Sequence, residues 1–490
     1  MPPETDTRFP PLQKDQVLAS LPPIWPEELA EGIRDAVRQG ARKLMVLDDD
    51  PTGTQTVYDI PVITEWSVER LESELQDSST AFYVLTNSRS ISETDAVALH
   101  QSIAANLRTA VARLEAAGVS PPTLSIVSRS DSTLRGHFPA EIDALQAALG
   151  PYDAVFLIPY FAAGGRLTID DVHYVAQGDW LLPAAMTPFA RDAVFGYRSS
   201  HLREWIAEKT AGRVSADDVA SIGLDELRRA GPATVLQRLR ELPAGSICVV
   251  NAVVERDLEV FVRGLLDAEA EGRRYLFRTA ASFVAARLGL APRPLLDGKT
   301  LQFGATNGGL TVVGSYVPCS SEQLQQLLDG ESVVPIELDV PSLLDVNRRE
   351  ETERAATTDI NRHLGASRDV VLYTSRQLIT RAGAEANLET GRIVSEAIVR
   401  IVRRLDLPPR YLIAKGGITS SDVATRALGV RRALVLGQIL PGVPVWRLGP
   451  ETAYPGLPYV VFPGNVGGPD ALAKVVAMFQ RPEAEGGKWT

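Results

Sequence analysis

The amino-acid sequence predicts an α/β protein of two domains, each built on a mostly parallel sheet. Three observations predict it. At 490 residues the chain is too long for one ordinary core, since domains typically run to about 100–200 residues. Short apolar runs alternate with segments of helical period, the pattern of βαβ units. Residues 290–308, LAPRPLLDGKTLQFGATNG, carry proline and glycine without periodicity and mark a boundary between residues 26–300 and residues 301–490.

The elements follow in order. Residues 1–25 are rich in proline and polar groups and are expected to form a flexible arm. PEELAEGIRDAVRQG reads as an amphipathic helix, with Pro26 suited to its first turn. Then come strand KLMVLDDD, strand AFYVLTN, a long helix over 92–118, strand TLSIVSR, helix FPAEIDALQAAL and strand DAVFLIP. In parallel sheets ligands bind where strand ends meet loops. Asp48, Asp49, Asp50, Asn87, residues 128–131 and Pro159 therefore belong to one edge. Residues 164–200 read as a long irregular, functional loop. Helices HLREWIAEK and VLQRLREL, strand SICVVNA, helix LEVFVRGLLDAEAEG and strand YLFRT complete the first block. The second block runs strand LTVVGSY, helix SEQLQQLL, a strand near VVPIEL, a helix near ETERAATTDINRHL, strand DVVLYTS and helix GRIVSEAIVRIVRRL. Strand YLIAKGG, helix SSDVATRAL, strands near ALVLGQI, VPVWRL and YVVFPGN, and helix GPDALAKVVAMF end it.

Composition narrows the function. The formal net charge of −11 argues against a broad nucleic-acid surface. No segment approaches the roughly 20 apolar residues of a membrane helix. The start has neither the basic n-region nor the apolar h-region of a secretory signal, so the cytoplasm is the expected compartment. Cys248 and Cys319 read as two small core thiols.

Four stretches carry chemistry. VLDDDPTGTQTV places three carboxylates at a strand end, where Gly53 lets the backbone approach a ligand. Asp-Pro-Thr-Gly is equally good turn chemistry. SRSDSTLRGHFPAEI packs Arg129, Asp131, Arg135 and His137 between a strand and a helix. Arginine there can grip a carboxylate in bidentate fashion, and an adjacent aspartate can hold or deprotonate a hydroxyl. An internal Asp131–Arg135 ion pair is the plainer alternative, and His137 alone reads as a packed or solvated histidine. IPYFAAGGRLTIDDVHYV adds Arg166 after a glycine pair, then Asp170, Asp171 and His173, whose spacing matches no metal motif; no metal ligands are assigned. VVGSYVPCSS, AKGGITSSD and FPGNVGGPD each follow a strand and precede a helix, the arrangement that offers backbone N–H groups to phosphate. DGKT at 297–300 is not a P-loop, because Arg293 stands where that pattern requires glycine.

Together these motifs resemble the four-carbon acid sugar kinase family, also called the YgbK or DUF1537 family. Asp49, Asp50, Pro51, Thr52 and Gly53 match its Asp-Asp-x-Thr-Gly segment, and residues 131–136 match Asp-Ser-Thr-Leu-Arg-Gly in full. Gly165 and Arg166 match a later Gly-Arg segment. Gly314 with Ser315, residues 416–419 and residues 464–467 match segments of its C-terminal half. The resemblance spans roughly residues 40–480. Two positions depart from many members: Ile418 replaces a glutamate, and Phe462-Pro463 replaces Lys-Ser.

The resemblance implies a kinase with its active site in an interdomain cleft, using ATP and Mg2+ on a small sugar acid of the threonate, erythronate or 3-oxo-tetronate type. Asp49, Asp50, Thr52, Gly53, Asn87, Arg129, Asp131, Ser132, Arg135, Gly165 and Arg166 would bind the acid. Asp131, Arg135 and Asp49 would serve catalysis. Ser315, Gly416, Gly417, Ile418, Thr419, Gly464, Asn465 and Gly467 would contact ATP. The expected partners are these small molecules, with no nucleic acid and no membrane; a homodimer is compatible. A second reading is a non-catalytic sensor or effector that keeps the fold and binds a sugar acid or nucleotide. A dehydrogenase is disfavoured, because no GxGxxG follows the first strand.

Overall fold

The computed structural model describes residues 8–40, 42–298, 300–301, 306–376 and 384–480, with only the backbone of 384–388. The chain divides into two units, Met1–Pro292 and Arg293–Thr490.

In the first unit the strands are β1 (Leu12–Gln13), β2 (Arg42–Asp48), β3 (Ile60–Ile63), β4 (Ala81–Leu85), β5 (Thr123–Arg129), β6 (Ala154–Ile158), β7 (Arg166–Ile169), β8 (Val172–Gln177), β9 (Trp180–Pro183), β10 (Ala220–Ile222), β11 (Ser246–Val250) and β12 (Tyr275–Thr279). Its main sheet runs β10-β11-β6-β12-β5-β2-β4-β3, every pair parallel. Strands β4 and β6 are buried along their whole length, as continuous apolar runs in a covered parallel sheet should be. Helix packing supplies the cover: Trp205 is fully buried, with its ring 4.9 Å from that of Phe138.

Two expectations are corrected. Residues 164–200 do not form one irregular loop, because β7, β8 and β9 make an antiparallel sheet within them. The turn between Ile169 and Val172 is Asp170-Asp171, both at positive φ (48° and 62°), as a two-residue hairpin of matching twist requires. A Gly178-Asp179 turn joins Gln177 to Trp180, with Gly178 at positive φ (57°). Only residues 184–200 remain irregular, in short 3₁₀ turns. The flexible arm is likewise tied down in its described part. β1 pairs with β9, Lys14–Ser20 is a helix, and Arg228 donates to the Pro22 carbonyl at 2.9 Å. The Trp25 ring covers Gly231, where a Cβ would lie 2.3 Å from it. An unpaired sheet edge and an open glycine surface gave this segment partners that its proline content concealed.

In the second unit the strands are β13 (Leu310–Val313), β14 (Val334–Leu338), β15 (Val370–Thr374), β16 (Leu412–Lys415), β17 (Arg432–Leu440), β18 (Val443–Leu448) and β19 (Pro458–Phe462). The order is β17-β18-β19-β16-β13-β15-β14, with β17, β18 and β19 antiparallel and the rest parallel. A core of aliphatic and aromatic side chains, among them Tyr411 stacked on Phe479 at 4.4 Å, lies against the sheet. No helix among the described residues is long and apolar enough to cross a membrane.

Candidate functional site

Parallel register assembles the first cluster. Asp48 pairs with Arg129 on β5 and with Leu85 on β4. The residues after these three strands therefore leave the sheet side by side. Arg129 Nη1 donates to Asp48 Oδ1 at 3.0 Å and lies 3.4 Å from Asp49 Oδ1. Asp50 caps the turn Pro51–Thr56, its Oδ1 accepting from the Thr52 N–H (2.9 Å) and the Thr52 hydroxyl (2.6 Å). Gly53 is compelled by contact: a Cβ there would lie 2.1 Å from Asp48 Oδ1. Three aspartates in a row are thus divided between a core ion pair and a turn, with Asp49 between them.

Arg89 then joins the motifs. Its Nη2 meets Asp50 Oδ2 at 2.5 Å, and its Nη1 meets Asp131 Oδ1 at 3.4 Å and Asp49 Oδ2 at 3.9 Å. Arg135 Nε donates to the other Asp131 oxygen at 2.7 Å, where the Thr133 hydroxyl also donates. Arg135 and Arg166 lie over the Phe189 ring at 5.1 and 5.6 Å, and Arg135 Nη1 is 3.7 Å from Asp192 Oδ2. The Arg166 guanidinium donates to the Gly164 carbonyl, but its Nε is buried with no hydrogen-bond partner. Among the described residues Arg166 makes no ion pair.

Electrostatics divide the carboxylates. Burial pushes Asp48 up to about 7, against the pull of Arg129. Burial also raises Asp49, whose Oδ2 has no hydrogen-bond partner. For Asp50 and Asp131 burial acts the same way but is outweighed. Arg89 and Thr52 hold Asp50 below the usual range, and Arg89 and Arg135 hold Asp131 well below it. Asp131 is therefore ionised and remains partly accessible, its side chain 13% exposed, where Asp49 is 3%. Burial lowers Arg166, which leaves a cation short of compensation beside it.

The other flagged residues have these places. Asn87 takes a left-handed conformation (φ 50°) that turns the chain from β4 toward Arg89. Ser132 offers its carbonyl to His173 Nε2 at 2.7 Å; His173 is fully buried, and desolvation lowers it to about 4. Its other nitrogen accepts from Thr168 at 3.0 Å, so it braces the loop as a neutral ring. His137 is packed, within 3.0 Å of the Ile91 carbonyl and edge-on to Phe195. Asp171 accepts from Asn251 (2.8 Å) and Ser221 (2.5 Å). Gly165, at φ 66°, turns the chain into β7 and so aims Arg166. Sequence reasoning missed Arg89, Phe189 and Arg278. Arg89 lies two residues beyond Asn87 at an edge already flagged. Arg278, at the end of β12, donates to Ser130 and, at 3.2 Å, to the Arg135 carbonyl, fixing the loop from beneath.

The second unit gathers the glycine turns. β19, β16 and β13 are parallel neighbours, with Lys415 in register with both Phe462 and Val313. Gly314, Gly416 and Pro463 consequently stand abreast. The turns touch: Gly416 N–H donates to the Phe462 carbonyl (2.8 Å), and Ser320 Oγ reaches Ser315 Oγ (3.1 Å) and the Gly464 carbonyl (3.0 Å). A Cβ on Gly314 would meet Thr419 Oγ1 at 2.3 Å. Buried Gln323 donates to the carbonyls of Val466 and Gly468 (both 2.9 Å) and Gly467 (3.2 Å), gathering the carbonyl side of the third turn inward. Asn465 lies on this turn, while Gly417 opens the helix Gly417–Asp422, on which Ile418 is 61% exposed.

Lys415 was also missed. It is fully buried, its Nζ donating to the Pro463 carbonyl at 2.7 Å and standing 4.0 Å from the Phe462 ring centroid. Burial lowers it to about 7. The sequence shows a lysine immediately before a glycine pair, which is the available signal. Cys319 is not the core thiol expected: it is half-buried at the start of the helix Pro318–Asp329, beside Gln323.

Comparison with known proteins agrees with this division. A family model described as a sugar-binding N-terminal domain matches residues 44–287, and one described as a nucleotide-binding C-terminal domain matches residues 310–472. The chain is 26% identical over 239 residues to a D-erythronate kinase of Heliobacterium modesticaldum, covering 48% of this chain and 50% of that protein. It is 30% identical over 207 residues to a D-threonate kinase of Bordetella bronchiseptica, covering 41% and 44%. The aligned stretch thus spans about half the length of the curated relatives. A solved structure of a DUF1537 protein from Haemophilus influenzae shares the fold, with a TM-score of 0.60 at 18% identity over 89% of this chain and 100% of that one. A solved structure described as a putative tRNA synthase from Salmonella typhimurium LT2 gives 0.65 at 17% identity over 90% and 100%. With both domain models matched in order along most of its length, the chain belongs to the four-carbon acid sugar kinase (DUF1537) family.

Proposed function

We propose that the protein is an ATP-dependent kinase that phosphorylates a hydroxyl of a four-carbon sugar acid. The observation that carries this reading is the unfinished charge balance around Asp131. An ionised, partly accessible carboxylate stands beside Arg166, a guanidinium with a buried, unpartnered Nε and no ion pair among the described residues. Such a pair suits a ligand that carries both a carboxylate and hydroxyls. The names of the D-erythronate and D-threonate kinases support the substrate class.

Arg166 and Arg135 take the acid's carboxylate or the transferring phosphoryl group, and Asp131 orients the attacking hydroxyl. Its low proton affinity makes it a weak base, which suffices where catalysis is mostly positioning and charge neutralisation. Asp49 holds Arg89 and Arg129 in place behind it. In the second unit Ser315, Gly416, Gly417, Ile418 and Thr419, together with Gly464, Asn465 and Gly467, cradle the nucleotide phosphates through backbone amides and hydroxyls, with Lys415 beneath. The hydroxyls of Ser315 and Thr419 are the groups on these turns that would hold a Mg2+ bound with the nucleotide, which would offset phosphate charge.

The test is ADP release from MgATP across a panel of tetronates, with thermal shift measured for each ligand. Release with at least one tetronate, dependent on both substrates, is expected. Stabilisation by both ligand types without release from any acid would make the protein a sensor rather than a kinase.

A further inference from the structure

Two charged side chains are buried behind the loop that carries Asp131. Arg278 stands in the apolar strand YLFRT, and Glu141 lies in the first turn of the helix Ala140–Leu149. Their side chains are 3% and 2% exposed, and Arg278 Nη1 lies 3.4 Å from Glu141 Oε2. Replacing a buried ion pair with apolar residues is often neutral or stabilising, so stability alone does not account for this one.

The other bonds of the pair run to the site. Glu141 Oε1 accepts from Ser88 Oγ at 2.5 Å, and Ser88 immediately precedes Arg89. Arg278 Nη1 donates to Ser130 Oγ, and Ser130 immediately precedes Asp131. Arg278 Nη2 donates to the Arg135 carbonyl at 3.2 Å. One guanidinium thus holds the loop on both sides of Asp131. Gly136, at φ 119°, makes room for it, since a Cβ there would lie 3.0 Å from Arg278 Nη2. The two loops follow different strands, β4 and β5, and the 3.4 Å contact of Arg89 with Asp131 spans them.

Resting on the kinase reading of this cluster, we propose that Glu141 and Arg278 are positioning residues for phosphoryl transfer. They clamp the turn Ser88–Ser90 to residues 130–135 and so fix the separation of Arg89 and Asp131 at the acceptor hydroxyl. Neither touches the acid, because both are withdrawn from solvent. Misplacing a reacting group by about 1 Å can cost on the order of a hundredfold in rate.

The experiment uses the full-length protein with MgATP and D-erythronate or D-threonate, at a temperature where melts show every variant folded. Ser88→Ala and Ser130→Ala each cut one end of the clamp and leave the ion pair in place. Each should lower kcat by about tenfold or more, with MgATP affinity by calorimetry within about twofold. Cutting either end releases the same gap, so the double variant should be within about twofold of the slower single. Arg278→Lys keeps a cation beside Glu141 but cannot span Ser130 and the Arg135 carbonyl, and should show the same loss of kcat. Serine variants that turn over at the unaltered rate overturn the proposal. Losses that multiply in the double variant also overturn it, because the two bonds would then act independently. If the unaltered protein releases no ADP with either acid, the kinase reading fails and the proposal falls with it, a result distinct from the other two.

Discussion

Arg89 and Arg166, two arginines that both act on Asp131, have opposite energetic roles. Arg89 serves three carboxylates, and removing one partner of a buried pair typically costs roughly 3–5 kcal/mol. Arg89→Ala should therefore lower the urea midpoint sharply. Arg166 has burial to bear and no ion pair among the described residues, so Arg166→Met should leave stability unchanged or higher while raising KM for the acid tenfold or more. The reverse ordering in urea melts would contradict the charge assignment. Asp131→Asn should cut kcat by about a hundredfold or more, the lower range for a positioned acid–base group, with MgATP affinity within twofold; single-turnover kinetics and calorimetry separate the two. Lys415 predicts a pH effect. Its folded value, about 7, lies below that of a free lysine, so the folded state resists its protonation. The lysine's contribution is fully present above about 10.5 and is lost as pH falls toward 7. The melting temperature of the unliganded protein, relative to Lys415→Met, should therefore rise between pH 7 and 10. A flat difference would mean the ammonium is not desolvated. Asp131 and Arg135 were legible as residues because their loop is dense in charge, and Arg166 because it follows a glycine pair. Their partner Arg89 was not, since a lone arginine in an Asn-Ser-Arg-Ser turn looks like solvated surface until three aspartates from other loops surround it.

At the level of elements, strand ends and turns do the positioning. The parallel strands were readable as apolar runs, and their carboxyl ends located the charged cluster and the three glycine turns. The β7–β9 sheet was missed because Asp170-Asp171 looked like chemistry, whereas both residues supply the positive φ of a hairpin turn. The N-terminal segment was misread for a related reason. Its composition is that of a loose arm, but the edge of β9 and the bare backbone of Gly231 accept it. Deleting residues 1–25 should accordingly lower the melting temperature by several degrees or more, and Trp25→Ala should reproduce part of that loss. A deletion variant as stable as the full chain would show that this packing contributes nothing.

For the whole molecule, the proposed function gives the two units separable binding tasks. Gly416 adopts φ 113° and a Cβ there would lie 2.9 Å from Ser315 Cβ, so Gly416→Ala strains the central turn. It should abolish the thermal shift given by MgATP and preserve the shift given by a tetronate. Loss of both shifts in a folded variant would refute the division of labour. The sequence by itself determined the α/β class, the run of strands and helices, and the motifs that mark the family, because these depend on local periodicity and on residue types close together in the chain. Only the tertiary structure decided which charges neutralise one another: Asp48 with Arg129, Asp50 and Asp131 with Arg89, and Arg166 with no ion pair among the described residues. Whether a buried ion is compensated is set by distances of a few ångströms between segments far apart in the chain, and no local pattern encodes those distances.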